Sequence, residues 1–385
     1  MKKIYCPTEL RGFQKHLFKT LEQEYEIKIK KDSFYDKISL KKKLLSKLIR
    51  SKIMDFLGVI RVIKITEKND LIFSYNRFIK NTSPYIINLE NPTALYHYSL
   101  KRNRTFLGKR KLKKEILNEN LKKIVCISKA CYETVYPLLG EKEVLNKIIQ
   151  IYPYIEDKNL LDIELKNKSL TKKVRCLYIS SEFYLKGGKE ILEAIKLLKF
   201  QDIEFFIVTE TQKIKSEDLE EIKADKRIKL IEFNLNFEEL NKLYSLANIL
   251  LHPTRQDSFA LVILEAMKNG LPCIATSLYA IPELIQEGYN GFLIENKYLF
   301  FNKDNLPNPN VWNNRKKTIY SYYYDENIVK FLVEKITLYY ENRQLLYEHS
   351  IASYLRSKNK SFSSEKIKIK WENLINDILK EGKDV

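Results

Sequence analysis

Asp257 and Glu265 stand eight residues apart in the run Leu250 to Leu293, LLHPTRQDSFALVILEAMKNGLPCIATSLYAIPELIQEGYNGFL. The run reads as a short strand, a polar loop, a helix, a second strand, a turn and the start of another helix. The first carboxylate falls on the loop at the helix start, and the second lies two turns inside. At about 1.5 Å of rise per residue their spacing spans roughly 12 Å, the length from a sugar across a diphosphate to a nucleoside ribose. Between them, Ser258, Phe259, Ala260 and Leu261 carry the backbone N–H groups that a helix start leaves unpaired. Such a terminus attracts anions.

A second element lies upstream, at Tyr184 to Glu190, YLKGGKE. Gly187 and Gly188 sit at a strand-to-helix turn, where glycine lets the backbone approach a ligand closely. Lys186 would point at phosphates. Alone, the element reads equally well as an ordinary helix-start turn. Glu265 is set among Val262, Ile263, Leu264, Ala266 and Met267, so its carboxylate is expected to be buried and to need a partner. A solvated helix residue is the alternative for Glu265, and a plain helix cap is the alternative for Asp257.

The two elements together resemble the donor-binding core of the retaining GT-B glycosyltransferases of family 4, the glycosyl transferases group 1. The family pattern E-G-F-G-x-x-x-x-E-A-M-A-x-G-x-P-V-I-A stands here as D-S-F-A-L-V-I-L-E-A-M-K-N-G-L-P-C-I-A, followed by P-E-L-I and G-Y-N-G-F-L. The resemblance implies an α/β GT-B fold: two Rossmann-like domains facing across a cleft, with a C-terminal helix crossing back to the first. It implies a hexosyltransferase-type enzyme, retaining and metal-independent. That enzyme would move a sugar from a nucleotide-diphosphate sugar to a hydroxyl of a glycan or lipid-linked acceptor, in cell-surface polysaccharide or lipopolysaccharide biosynthesis. No metal and no cofactor besides the donor is implied. Carried onto this chain, the catalytic set is Asp257, Glu265, Lys186 and Glu90. Donor contacts fall to Lys186, Gly187, Gly188, Arg255, Asp257, Ser258, Phe259, Ala260, Leu261 and Glu265. Glu265 would hold the ribose, Asp257 the sugar and Lys186 the diphosphate.

The chain departs from the pattern at Asp257 for Glu, at Ala260 for Gly and at Ser181 for an Arg five residues before Lys186. Lys189 or Arg255 is expected to replace that cation. The segment PYIINLENPT puts Glu90 where the family carries a His. A carboxylate there could take a proton from an acceptor hydroxyl or be structural. His252 is expected to wall the site, and His97 is a weaker acceptor-side candidate. A catalytically inactive nucleotide-binding partner subunit and a nucleotide-sugar epimerase stay open as alternatives.

Bulk properties bound these readings. The 385 residues suit two domains with full cores, and 44% hydrophobic content excludes disorder. No run of eighteen apolar residues and no signal-peptide h-region is visible, so a cytoplasmic protein is expected. Five cysteines without C-x-x-C spacing suggest buried, reduced thiols. The net charge of +19 implies an anionic partner. One cluster, Lys41, Lys42, Lys43, Lys47, Arg50 and Lys52, alternates with Leu40, Leu44, Leu45, Leu48, Ile49 and Ile53, as a basic amphipathic helix would. Another comprises Lys101, Arg102, Arg104, Lys109, Arg110, Lys111, Lys113 and Lys114. Docking at the inner face of the cell membrane is one reading and a solvated face the other. No RNA- or DNA-binding motif accompanies the charge, so nucleic acid is not expected.

Strand-like and helix-like runs alternate along the chain, which argues parallel sheets with helices on both faces. The expected divisions are an acceptor-binding domain at 1–157, a linker at 158–173, a nucleotide-sugar domain at 174–363 and a returning helix at 364–385. Asn302 to Tyr324, rich in Tyr, Asn and Pro, fits none of these patterns.

Overall fold

The structure is a computed structural model that describes residues 1–8, 10–30, 48–49 and 51–381. Two compact units emerge. One is built from Met1–Tyr154, Lys303–Leu306 and Ser364–Val385, the other from Ile155–Asn302 and Pro307–Ser363.

The first unit holds β1 (Lys2–Cys6), β2 (Tyr25–Ile29), β3 (Val62–Lys64), β4 (Leu71–Tyr75), β5 (Phe78–Lys80), β6 (Tyr85–Leu89), β7 (Leu121–Cys126) and β8 (Ile148–Gln150). Its main sheet runs β2-β1-β4-β6-β7-β8 with every pairing parallel, while β3 and β5 form a small parallel pair of their own. Central strands of such a sheet are covered on both faces, so they read as continuous apolar runs. Ile72, Phe73, Ile86, Ile87, Ile124 and Val125 are all buried accordingly. The buried Asn88 is satisfied, accepting from Gln14 Nε2 at 2.7 Å and donating to the Val125 carbonyl at 3.3 Å. The connections reverse side between β1 and β4, which leaves a crevice beyond the carboxyl ends of these strands.

The C-terminal helix, Ser364–Glu381, belongs to this unit. Trp371 is buried with its ring 5.6 Å from that of Phe73, and Tyr25 donates its hydroxyl to Asn376 at 2.8 Å. The second basic cluster is largely a helix, Phe106–Ile116, which turns Leu112 and Ile116 inward. It packs on the short helix Lys52–Phe56. Gly58 and Gly108 permit this approach, since a Cβ on Gly58 would lie 2.3 Å from the Gly108 nitrogen. Arg102 leaves the surface cluster to which the sequence assigned it. It is fully buried, paired with Asp55 at 2.9 Å and bonded to the Val59 carbonyl at 2.9 Å. Most of the first basic cluster, Lys41, Lys42, Lys43, Lys47 and Arg50, lies outside the described residues.

The second unit holds β9 (Val174–Ile179), β10 (Ile203–Thr209), β11 (Ile228–Glu232), β12 (Ile249–His252), β13 (Cys273–Thr276) and β14 (Gly291–Ile294). They lie in the order β11-β10-β9-β12-β13-β14, all parallel. This is the dinucleotide-fold order, and its switch point falls between β9 and β12. Ile191, Ile195, Ile328 and Leu332, from the helices Gly188–Leu197 and Glu326–Glu341, close the core over Cys176, Phe205 and Leu251. The helix Arg343–Ser357 was not expected. Its buried face is largely His349, Ser350, Ser353 and Ser357, and serine hydroxyls bond the Gly270 and Leu271 carbonyls at 2.5 and 2.7 Å. Polar packing of this kind leaves no hydrophobic period to read. All five cysteines are buried free thiols.

Candidate functional site

Gly187 lets the loops after β9 and β12 come together, and Gly188 lets the first of them fold tightly on itself. Gly187 has φ +79°, and a Cβ there would lie 2.1 Å from the Pro253 carbonyl oxygen. A Cβ on Gly188 would strike the Phe183 ring at 2.3 Å. The Arg255 N–H then donates to the Leu185 carbonyl at 3.0 Å, tying one loop to the other. That approach delivers Lys186 to Asp257. The ammonium donates to Asp257 Oδ2 at 2.6 Å and to the Gln256 carbonyl at 2.5 Å.

Asp257 is the hub. Its Oδ1 accepts from the backbone N–H groups of Ser258, Phe259 and Ala260 at 2.8, 3.2 and 2.8 Å. Its Oδ2 lies 3.2 Å from His252 Nε2. The N–H groups that the sequence leaves open at this helix start are therefore not all open. The three bonded groups belong to the loop before the helix, which begins at Leu261 with Ala260 as an N-cap that makes no side-chain cap, so the short Asp257 side chain orders the loop and does not cap the helix. Burial acts to raise the Asp257 pKa, but Lys186 and the His252 hydrogen bond outweigh it and hold the carboxyl well below its ordinary value. Burial presses the His252 imidazole below its ordinary value, with Asp257 opposing. A neutral ring facing a carboxylate donates from Nε2. Ala260 adopts φ +62°, the left-handed conformation that favours glycine.

Glu265 lies on the helix Leu261–Lys268 that this loop begins. Its carboxylate accepts from Tyr244 Oη at 2.7 Å, and burial pushes its pKa up to about 7, with the tyrosine hydrogen bond acting against the shift. Tyr244, on the helix Phe237–Leu246, is a partner that sequence reasoning missed. It reads as one more apolar core position, and only the packing shows where its hydroxyl ends. At the far end of the Leu261–Lys268 helix, buried Lys268 bonds Asp157 and the carbonyls of Ser357 and Phe362, the latter two at 2.7 and 2.8 Å.

The two expected substitutes for the absent arginine are engaged elsewhere. Lys189 pairs with Asp218 and Glu193 at 2.6 and 2.7 Å. Arg255, nearly fully buried, pairs with fully buried Glu190 at 2.7 Å and bonds the carbonyls of Ser321 and Tyr323. Of the donor-side residues named from the sequence, the structure thus brings together Lys186, Gly187, Gly188, Asp257, Ser258, Phe259 and Ala260. Leu261 and Glu265 follow along the helix, and the Arg255 guanidinium is directed to Glu190.

In the first unit, Glu90 directly follows β6. Its two carboxylate oxygens accept from Tyr75 Oη and Tyr98 Oη, each at 2.6 Å, and its N–H donates to Asn76 Oδ1 at 3.1 Å. Burial raises both tyrosine pKa values, and the adjacent Glu90 charge adds to the shift, so both phenols stay protonated as donors. His97 is spent structurally: it sits in the left-handed region and its Nε2 accepts the Arg61 N–H at 3.1 Å. Among the described residues, no group of three or more His, Cys, Asp or Glu side chains converges as a metal site would.

Residues 173–301 match the family model described as Glycosyl transferases group 1. The N-acetyl-alpha-D-glucosaminyl L-malate synthase of Bacillus anthracis is 30% identical over 112 residues, which is 27% of this chain and 29% of the synthase. The chain spans less than two thirds of the length of the first curated relatives it matches. Among solved structures, Anabaena HepE in complex with UDP and glucose superposes with a TM-score of 0.59 at 15% identity, over 98% of this chain and 99% of that one. The sucrose-phosphate synthase of Thermosynechococcus elongatus gives 0.64 at 12% identity, over 99% and 100%. With the two parallel sheets, these likenesses identify the fold as GT-B, made of two Rossmann-like domains.

Proposed function

We propose that this protein is a glycosyltransferase that takes a sugar from a nucleotide-diphosphate donor and transfers it to a hydroxyl of a glycan or glycolipid, with retention and without a metal. The observation that carries the reading is the Lys186–Asp257 pair at the β9/β12 switch point, inside the stretch that matches the family model. An ammonium there can stabilise the charge that develops on a departing diphosphate. Asp257 would exchange one of its present partners for sugar hydroxyls, and Glu265 would accept from the ribose. In the transfer, the bond from the anomeric carbon to the diphosphate oxygen breaks and a bond to the acceptor oxygen forms. The acceptor proton passes to the leaving phosphate on the same face. Glu90, held by two phenols, would orient the acceptor hydroxyl. The HepE complex with UDP and glucose supports a donor of this class.

The test is a thermal-shift panel with UDP, GDP, ADP, CMP and their sugar conjugates, in EDTA. A ligand at about 100 times its dissociation constant should add roughly 2.7 kcal/mol to stability. The expected result is a shift with one nucleotide family, lost in Lys186→Ala. No shift with any nucleotide, on folded protein, sinks the reading.

Membrane-surface docking is part of the proposal. None of the described helices is long and apolar enough to cross a membrane. Phe106 and Phe56 are 78% and 72% exposed on two packed helices that also present Lys52, Lys109, Arg110 and Lys111. Apolar tips ringed by cations suit an anionic leaflet, where each Lys or Arg contributes about 1 kcal/mol. Flotation with phosphatidylglycerol vesicles should carry the protein, and Phe56→Ser with Phe106→Ser should release it. Equal flotation of both proteins would remove this part of the proposal.

A further inference from the structure

The segment that follows β14 fitted no sequence pattern, yet it reaches the loop that carries Asp257. Arg255 holds it there. Its Nη1 donates to the Ser321 carbonyl at 2.8 Å and its Nη2 to that of Tyr323, while Nε and Nη2 are fixed on Glu190 at 3.2 and 2.7 Å. Placing an ion pair in the interior strips both ions of water, a cost that a solvated surface loop does not require. Tyr322 adds a second clamp, packed edge-on against Tyr184 at 4.8 Å and 89°, two residues before Lys186. With Ser321 to Tyr323 pinned, Tyr320 stands 47% exposed, its hydroxyl 3.4 Å from Gln256 Oε1. Gln256 is the residue whose carbonyl receives the Lys186 ammonium and whose chain neighbour is Asp257. An exposed phenol therefore flanks the charged pair at the loop end of the site, while Glu265 lies two turns further along the helix.

We propose that Tyr320 is a specificity-determining residue for the transferred sugar, its ring lying against the C–H face of a pyranose and its hydroxyl, with Gln256, reading one sugar hydroxyl. The inference rests on the nucleotide-sugar reading of this site. Tyrosine suits the task because it joins an apolar face to a polar tip. The pinned backbone means that little order is lost when the sugar arrives.

The experiment is isothermal titration calorimetry on the full chain with the nucleoside diphosphate that the wild type binds and with its hexose conjugates. Tyr320→Ala should weaken the best hexose conjugate about tenfold and leave the bare diphosphate within about twofold. Tyr320→Phe should lose less, because the ring remains. Unchanged melting of the free variants checks the fold. Equal conjugate affinity in wild type and Tyr320→Ala overturns the proposal for Tyr320 alone, and so does a parallel loss for conjugate and bare diphosphate. A folded wild type that binds no nucleoside diphosphate overturns the donor reading and this inference with it.

Discussion

The two units both carry parallel sheets but furnish the carboxyl ends of their strands differently. Beyond β9 and β12, opposite charges cross the crevice: Lys186 meets Asp257, His252 adds a third group, and Gly187 permits the approach. Beyond β4 and β6, a single carboxylate, Glu90, is held by two neutral phenols and an N–H donated to Asn76. The first arrangement is built around charge, as a diphosphate would require. Among the described residues, the second holds one acceptor group bonded by neutral donors, which suits a neutral hydroxyl. Parallel strands place both arrangements at their carboxyl ends, and the side chains there say which kind of ligand each suits.

The strongest way to break that comparison is to remove each carboxylate in turn. Asp257→Ala removes the acceptor of three loop N–H groups and the partner of the largely buried Lys186, so it should cost about 3 kcal/mol in urea unfolding. Glu90→Gln keeps its hydrogen-bond geometry and should cost about 1 kcal/mol or less, while still lowering turnover. Equal stability losses would mean that the two sites are not organised as described. The Asp257 contribution also has a pH signature. Its folded pKa is held below the ordinary 3.8, so its stabilisation is present above about pH 4 and is lost as acid protonates it.

Glu265 sharpens the donor side at intermediate scale. Its pKa of about 7 lies above the unfolded value, so the folded state takes up a proton and stability falls as pH rises from about 4.5 towards 7. Glu265→Gln should flatten that slope and gain stability at pH 8. Nucleotide affinity in the wild type should rise across the same window, as the carboxylate ionises and accepts from ribose, and should be flat in the variant. An affinity independent of pH in both proteins would detach Glu265 from the ribose. The smallest effect is expected at Ala260. Ala260→Gly relieves a left-handed alanine and should add about 1 kcal/mol to stability. A melting curve with no gain would show that the Asp257 hydrogen bonds already absorb the strain.

Much of the fold was legible because parallel strands buried on both faces announce themselves. Leu71–Tyr75, Tyr85–Leu89, Leu121–Cys126 and Val174–Ile179 are legible as strands from their apolar and β-branched residues. The helix Arg343–Ser357 was not, since it packs through serine hydroxyls, and Phe106–Ile116 was hidden inside a run of lysines. In the candidate site, the pairing of K-G-G with the downstream carboxylates was what the family resemblance implied. Gly187 proved to serve the contact with Pro253, which no local pattern contains, while Gly188 makes room for the Phe183 ring of its own loop.

By itself, the sequence determined the element order, the two-sheet class and the residue types at the strand ends, because periodicity and backbone propensity act over a few neighbouring residues. Only the tertiary structure decided the partners. Arg255 could not be assigned to Glu190 rather than to a phosphate, nor Tyr320 to the side of Gln256, from spacing alone. Each pair lies more than sixty positions apart in the chain. Electrostatics and hydrogen bonding fall off within a few ångströms, so which charges meet is set by the packing that brings distant segments together.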